Sequence, residues 1–169
     1  MKFNGILHVI SMISEWSGKI AAFIIIPNIL ALVYEVVARY VFNKPTIWSF
    51  EVTYFLYAGH FMLGAAYTLK YHRHIRVDVF YSRFSPRSQA MIDSIGYLVL
   101  FFPAILILIY GGIGLVQESL LMNERSAITA WKPILWPFKA MLPFAFLLLG
   151  LQGIVDFIGR FNVAIGRAK

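Results

Sequence analysis

Four long apolar segments constrain the fold of this chain more than any other feature. A helix needs about 20 apolar residues to cross the hydrocarbon core of a bilayer, and four segments meet this length, at residues 20–41, 50–69, 91–116 and 138–158. Hydrophobic residues make up 60% of the 169 residues and charged residues 14%, against about half and a quarter in soluble domains. We therefore predict an all-α integral membrane protein, in which residues 1–169 form one domain with four transmembrane helices.

A second helical pattern precedes the first segment. Apolar residues recur there at helical spacing, with polar residues on the other face: Phe3, Ile6, Leu7, Ile10 and Ile13. This pattern predicts a short amphipathic helix on the membrane surface or an extension of the first span. Three prolines lie inside the apolar segments, at Pro27, Pro103 and Pro143. Membrane helices tolerate such prolines when neighbouring groups satisfy the freed carbonyls.

The basic residues predict the orientation. Cytoplasmic loops of membrane proteins are enriched in Lys and Arg, and ten of these residues lie on the side that contains both termini, against five on the other. The ten include a cluster after the second segment, at Lys70, Arg73, Arg76, Arg83 and Arg87. We therefore expect both termini in the cytoplasm, with the basic cluster near phospholipid headgroups. On the opposite side, Trp48, Trp131 and Trp136 suit an interfacial aromatic belt.

The same composition argues against several classes of function. The net charge is +7, but no basic helix or aromatic-basic motif accompanies it, so we expect no nucleic-acid partner. The chain has no cysteine, which excludes disulfides and thiolate ligands. It also contains no G-x-S-x-G, P-loop or H-E-x-x-H motif. We therefore expect no catalytic activity and no bound cofactor.

The histidines do not form a convincing metal site. A b-type haem needs two imidazoles at similar depth, and His60 has no partner at its depth in the other apolar segments. A zinc site at His72, His74 and Asp78 is equally weak, because residues two apart point to different sides of a helix. A hydrogen bond from His60 across a helix interface is the simpler interpretation. A membrane anchor of a redox complex remains an alternative function.

Three charged residues near the outer ends of the first two segments need partners. Glu35 and Arg39 are four residues apart and share a helix face, while Glu51 opens the second segment. Pairing of Arg39 with Glu35 or Glu51 is favoured over a proton or ion relay, although a small self-contained exporter using Glu35 remains a further alternative. Gly64, Ala65 and Ala66 form a small-residue patch that suits close helix packing, either within the bundle or with a partner.

Several motifs in one order resemble a known family. They are "RYVFN" at 39–43, Trp48 followed by Glu51, "LGAA" at 63–66, and "HIRVD" at 74–78. Residues 126–154 also match the family's lead into its last span. Together they resemble the DctQ family, the small membrane subunit of tripartite ATP-independent periplasmic (TRAP) transporters. One departure is that many members carry a second acid beside the position of Glu51, whereas Phe50 and Val52 flank it here.

The resemblance implies a scaffold in a bacterial inner-membrane transporter. The expected partners are a large multi-span TRAP subunit, which carries the substrate and sodium sites, and a periplasmic substrate-binding protein. The expected substrates are organic acids such as carboxylates or sugar acids. The resemblance makes Arg39, Trp48, Glu51, Gly64, Ala65, His74 and Asp78 candidates for interface or structural roles. In particular, His74–Asp78 would form a shaped turn that helps to dock the large subunit.

Overall fold

The described part of the protein is helical. The computed structural model describes residues 2–71, 81 and 84–166, which form α1 (Lys2–Tyr40), α2 (Ser49–Lys70), α3 (Pro86–Gly96), α4 (Phe102–Leu121) and α5 (Trp136–Ala164). One isolated antiparallel bridge joins Arg125 to Ile134. The predicted all-α architecture is confirmed for these residues. Five residues that the sequence analysis singled out after the second segment lie outside the described residues: Arg73, His74, Arg76, Asp78 and Arg83.

Three helical stretches of the described chain are long and apolar enough to cross a membrane. They are Gly5–Tyr40, the continuous rod Pro86–Leu121, and Trp136–Ala164. Helix α2 has 22 residues and therefore sufficient length, but Glu51, His60 and three tyrosines make it less apolar than the others. Length and composition alone thus support a multi-pass membrane protein with at least these three crossings.

Helix α1 joins the amphipathic pattern at the N-terminus to the first apolar segment. It continues without a break for 39 residues, which at 1.5 Å per residue is about 58 Å. The hydrocarbon core of a bilayer is only about 30 Å thick. Two arrangements were expected for residues 3–13. Because α1 is continuous, these residues extend the first span and do not form a separate surface helix.

A wide helical turn connects α3 to α4. Residues Tyr97–Phe101 form a π turn, closed by a hydrogen bond from the backbone N–H of Phe102 to the carbonyl of Tyr97. Pro103 follows directly and has no N–H to donate to the carbonyl four residues earlier. A local change from four- to five-residue hydrogen bonding is a common answer to such a defect. The rod Pro86–Leu121 therefore continues past its proline.

The helices pack side by side with α5 at the centre. Helix α5 contacts all the other helices, and α1 packs mainly on α2. Contacts of Glu15 with Lys70 and of Ala31 with Ser49 show that α1 and α2 are antiparallel. Stacking of Phe55 on Phe138, with centroids 4.5 Å apart, brings together the N-terminal parts of α2 and α5. Helices α2 and α5 are therefore parallel, and the loops α1–α2 and α4–α5 lie at one end of the bundle.

The surface of the bundle is strongly apolar. Large hydrophobic side chains point outward along all the long helices, for example Phe23 (70% exposed), Leu30 (64%) and Tyr110 (83%). The buried positions hold mainly small residues, including Ala21, Ala66, Ala90 and several serines. Water is a poor solvent for such a surface, so lipid or another protein must cover it.

Candidate functional site

The two inter-helix loops at one end of the bundle are held by buried or partly buried acids. Residues 41–48 connect α1 to α2, and residues 122–135 connect α4 to α5. We call this region the loop end. Three carboxylates act there, Glu35 on α1, Glu51 on α2 and Glu124 in the second loop. Glu35 contacts the loop 41–48, Glu51 contacts the loop 122–135, and Glu124 contacts the start of α5. These contacts define the geometry of the region.

Glu35 joins α1 to the loop that follows it. Its Oε1 accepts hydrogen bonds from Nη2 and Nε of Arg39 at 2.5 and 3.0 Å. Its Oε2 accepts from the backbone N–H of Thr46 at 3.0 Å and from the Thr46 hydroxyl. Both oxygens are therefore engaged, and the predicted ion pair of Arg39 forms with Glu35. This arrangement closes the loop over the end of α1.

Glu51 joins α2 to the second loop. Its side chain is 1% exposed, and Oε1 accepts from the Thr129 hydroxyl at 2.6 Å and the Thr129 backbone N–H at 3.1 Å. Of the two pairings that the sequence left open for Arg39, the pair with Glu35 forms and the pair with Glu51 does not. Oε2 is buried without a hydrogen-bond partner among the described residues. The two hydrogen bonds from Thr129 attach the loop to the start of α2, and their burial makes the loss of either one costly.

The second loop has its own internal supports. The backbone N–H of Ser126 donates to the carbonyl of Pro133 at 2.9 Å, and that of Leu135 donates to the carbonyl of Glu124 at 3.0 Å. Lys139 on α5 forms an ion pair with the Glu124 carboxylate. This ammonium group holds the pKa of Glu124 below its usual range. The loop is thus a closed hairpin that presents Thr129 to Glu51.

Trp48 lies immediately before α2 and packs on α1. Its ring stacks on Tyr34 with centroids 5.9 Å apart and an interplanar angle of 22°. Ser49, the next residue, is 1% exposed and donates from its hydroxyl to the carbonyl of Ala31 at 3.0 Å. The motif residues Trp48 and Glu51 therefore contribute to the same corner, where α1, α2 and the second loop meet.

A groove lies along the contact of α1 with α2. Its walls are mainly small residues, and its volume is about 490 Å³; we call it the α1–α2 groove. It is lined by Gly18, Ala21, Ala22, Gly64 and Ala65, together with His60, Phe61, Tyr67 and Thr68. A methyl group added at Gly64 would meet no atom within 4 Å. Gly64 and Ala65 therefore border open space on this face, whereas Ala66 is buried in the bundle.

His60 lines this groove and makes a contact from α2 to α1. Its Nδ1 lies 2.7 Å from the carbonyl oxygen of Ala21. A backbone carbonyl can only accept, so Nδ1 carries the proton, and in the neutral ring Nε2 is an acceptor. The predicted hydrogen bond across a helix interface is present. No group of three or more His, Asp or Glu residues suited to a metal ion occurs in the described part of the chain.

The opposite end of the bundle holds the two described members of the basic cluster. The ammonium group of Lys70 contacts the Glu15 carboxylate at 2.7 Å and the carbonyl of Ser11 at 3.0 Å. Arg87 donates from Nε to the carbonyl of Ala164 at 2.9 Å. Lys70 thus ties α2 to α1, and Arg87 ties α3 to the end of α5.

Some important contacts had no signal in the sequence analysis. Thr129 and Lys139 were not among the candidates, because their partners are identified only when the loop is folded. Gly18 was also missed: a Cβ there would lie 2.3 Å from ring atoms of Tyr67. A small residue in the polar N-terminal part of α1 was its only signal, and that signal does not identify the partner.

Comparison with known proteins gives two matches. The family model described as "Tripartite ATP-independent periplasmic transporters, DctQ component" matches residues 28–163. A C4-dicarboxylate TRAP transporter small permease protein DctQ from Vibrio cholerae serotype O1 is 42% identical over 45 residues. That alignment covers 27% of this chain and 19% of the relative. The family match includes the loop end, the α2 side of the α1–α2 groove and α5 up to Val163.

Proposed function

The chain belongs to the DctQ family, the small membrane component of TRAP transporters, and from this membership we propose that it is the scaffold subunit of a binding-protein-dependent importer. The observation that carries the proposal is the family match over residues 28–163. In this account the chain assembles with a large multi-span subunit in a bacterial inner membrane. A periplasmic binding protein delivers the substrate to that assembly.

The use of the acidic side chains supports a scaffold. A transport relay needs a carboxylate that can exchange protons or ions, but Glu35 is fully engaged by Arg39 and Thr46. Glu51 is buried and accepts two hydrogen bonds from Thr129. These contacts are suited to fixing helices and loops. They therefore favour the scaffold over a self-contained exporter that would use Glu35.

We propose four crossings with both termini in the cytoplasm. Helix α2 lies between α1 and α5 and contacts α1 from Lys70 at one end to Ser49 at the other. A helix enclosed along its length by two crossing helices crosses with them, and its lower apolarity is offset by polar contacts such as that of His60 with Ala21. The excess of Lys and Arg on the side of the termini gives the orientation.

We propose the α1–α2 groove as the contact for a helix of the large subunit. Small residues let the backbones of two membrane helices approach closely, and Gly64 and Ala65 offer such a surface. The Nε2 acceptor of His60 would receive a hydrogen bond from a hydroxyl or amide group of the incoming helix. A hydrogen bond of this kind contributes about 0.6 to 2 kcal/mol in membrane proteins.

The substrate and the driving force belong to the assembly and not to this chain. The relative from Vibrio cholerae is named for C4-dicarboxylates, and we propose an organic acid, a carboxylate or a sugar acid, as the class imported here. Import would be coupled to sodium through sites on the large subunit. The described contacts of this chain are used for packing, which is consistent with a subunit that does not bind the substrate itself.

Affinity purification tests the proposed assembly. The full-length chain, tagged and expressed in its own host, is extracted in mild detergent, and its partners are identified by mass spectrometry. We expect a large multi-span membrane protein at equal stoichiometry. Recovery of the chain from its own host without any such partner would contradict the scaffold role.

A further inference from the structure

A second groove lies between α3 and α5 at the end of the bundle opposite the loop end. It has a volume of about 430 Å³ and is lined mainly by Arg87, Met91, Ile95, Leu98, Phe161 and Ile165. We call it the Arg87 groove. Arg87 lies at its rim, where α5 ends at Ala164. The rest of the lining is almost entirely apolar.

The apolar wall follows one face of the helical rod that contains α3. Met91, Ile95 and Leu98 are spaced by four and three residues, so they lie above one another on the same face. They extend about 10 Å along the helix axis. All three are about half exposed, at 51%, 58% and 54%. The wall therefore leads from the charged rim into the apolar part of the bundle surface.

Arg87 has donors available at the rim. The last carbonyls of a helix lack partners within the helix, and Nε of Arg87 donates to one of them, that of Ala164, at 2.9 Å. This bond holds the guanidinium group while its two terminal nitrogens keep four N–H donors. At this end of the bundle, Lys70 and Arg160 form ion pairs with Glu15 and Asp93. Among the described residues Arg87 has no such acidic partner.

We propose that the Arg87 groove is a binding site for one anionic phospholipid. The guanidinium group is well shaped for a phosphate, to which it can donate two parallel hydrogen bonds. Basic pockets between membrane helices on the cytoplasmic side are suited to acidic lipid headgroups. The apolar wall below the rim then receives an acyl chain. The site combines a charge at the interface with an apolar channel, which matches the amphiphilic character of a lipid and not that of free phosphate.

Lipid titration by native mass spectrometry tests this site. The full-length protein, in the assembly in which it is recovered, is titrated with phosphatidylglycerol and with phosphatidylcholine of the same acyl chains. We expect tighter binding of phosphatidylglycerol by about five- to tenfold, the effect of one basic group near an anionic headgroup. Arg87→Gln should remove this preference. Lys44→Gln removes an exposed positive charge at the loop end and should leave the preference unchanged.

Two further variants separate the headgroup from the acyl chain. Arg87→Lys keeps the charge and should retain most of the preference. This result would show that the effect of Arg87→Gln arises from the lost charge and not from loss of folding. Ile95→Trp fills the apolar channel and should weaken both lipids without changing their ratio. Equal binding of the two lipids by the unmodified protein, or equal losses in Arg87→Gln and Lys44→Gln, would overturn the proposal. Displacement of the lipid by inorganic phosphate would reduce the site to an anion site and would equally overturn it.

This experiment is independent of transport. Lipid preference is measured on the purified protein, whether or not a large subunit is recovered with it. A loss of partner recovery in Ile95→Trp with unchanged lipid binding would instead assign the groove to a protein contact. The lipid site and the scaffold role can therefore fail separately.

Discussion

Thr129 donates two hydrogen bonds to one carboxylate oxygen of Glu51, from its hydroxyl at 2.6 Å and from its backbone N–H at 3.1 Å. The two residues are 78 positions apart, and Glu51 is 1% exposed. This contact attaches the loop 122–135 to the start of α2. We infer that it is a principal support of the loop end.

Removal of the Thr129 hydroxyl should therefore destabilise the protein. Thr129→Val leaves the buried Glu51 oxygen with only the backbone donor, and loss of a partner from a buried acceptor costs about 1 to 3 kcal/mol. We expect a loss of this size in the free energy of unfolding in detergent. Thr53→Val is the matched control, because the Thr53 hydroxyl only donates to carbonyls of its own helix. Equal stability of the two variants would show that the Glu51 contact is unimportant.

Glu35 should be structural and not part of a transport relay. Glu35→Gln removes the charge that Arg39 pairs with but keeps an oxygen that can accept from Thr46. We expect lower yield of the assembled transporter and an unchanged rate of uptake per assembled complex. Glu118→Gln, at an exposed position on α4, controls for the loss of one negative charge. Abolished uptake with normal assembly in Glu35→Gln alone would support the exporter alternative.

The contact of α1 with α2 should require glycine at position 18. In Gly18→Ala the new methyl group would overlap Tyr67, including its Cβ at 2.5 Å, and this atom cannot move without the backbone. Overpacking of this kind costs about 1 to 3 kcal/mol. Gly5→Ala, on the same helix but with no atom within 4 Å of the new Cβ, should be neutral or slightly stabilising. Thermal unfolding in detergent measures both, and a stable Gly18→Ala would contradict the close approach.

The α1–α2 groove should be needed for assembly but not for the fold of this chain. Gly64→Leu adds a bulky side chain in the α1–α2 groove, at a position where a Cβ meets no atom within 4 Å, so the thermal stability of the isolated chain should change little. We expect recovery of the large subunit in affinity purification to drop by at least about tenfold, because loss of 1.4 kcal/mol already has this effect. Gly111→Leu, on α4 and also without a neighbour within 4 Å, is the control. Full recovery with Gly64→Leu would place the interface elsewhere.

The sequence predicted the helical segments well and their ends less well. Residues 50–69 agree with Ser49–Lys70 to within one residue, whereas 138–158 lies inside Trp136–Ala164 and ends six residues before it does, because apolar runs indicate where helices form but not where they end. Helix α1 begins 18 residues before the predicted start of its span at residue 20. Its polar N-terminal part is stabilised by tertiary contacts such as that of Glu15 with Lys70. Apolarity alone cannot reveal such contacts.

The contacts of the candidate residues were less accessible to sequence reasoning. Helical spacing correctly allowed the pair of Glu35 with Arg39, since the two residues are one turn apart. The partner of Glu51 lies in a loop whose position depends on the packing of α2 against α5. Periodicity describes one helix at a time, so it gives no information on this contact. For the same reason it left open whether Gly64 and Ala65 face the bundle or its surroundings.

Uptake by reconstituted proteoliposomes tests the central claim most directly. Vesicles contain the large subunit with or without this chain, and the purified binding protein, a labelled organic acid and an inward sodium gradient are supplied. We predict uptake only when both membrane subunits are present, and none with this chain alone. Full uptake by the large subunit without this chain, or any uptake by this chain alone, would contradict its role as a scaffold subunit.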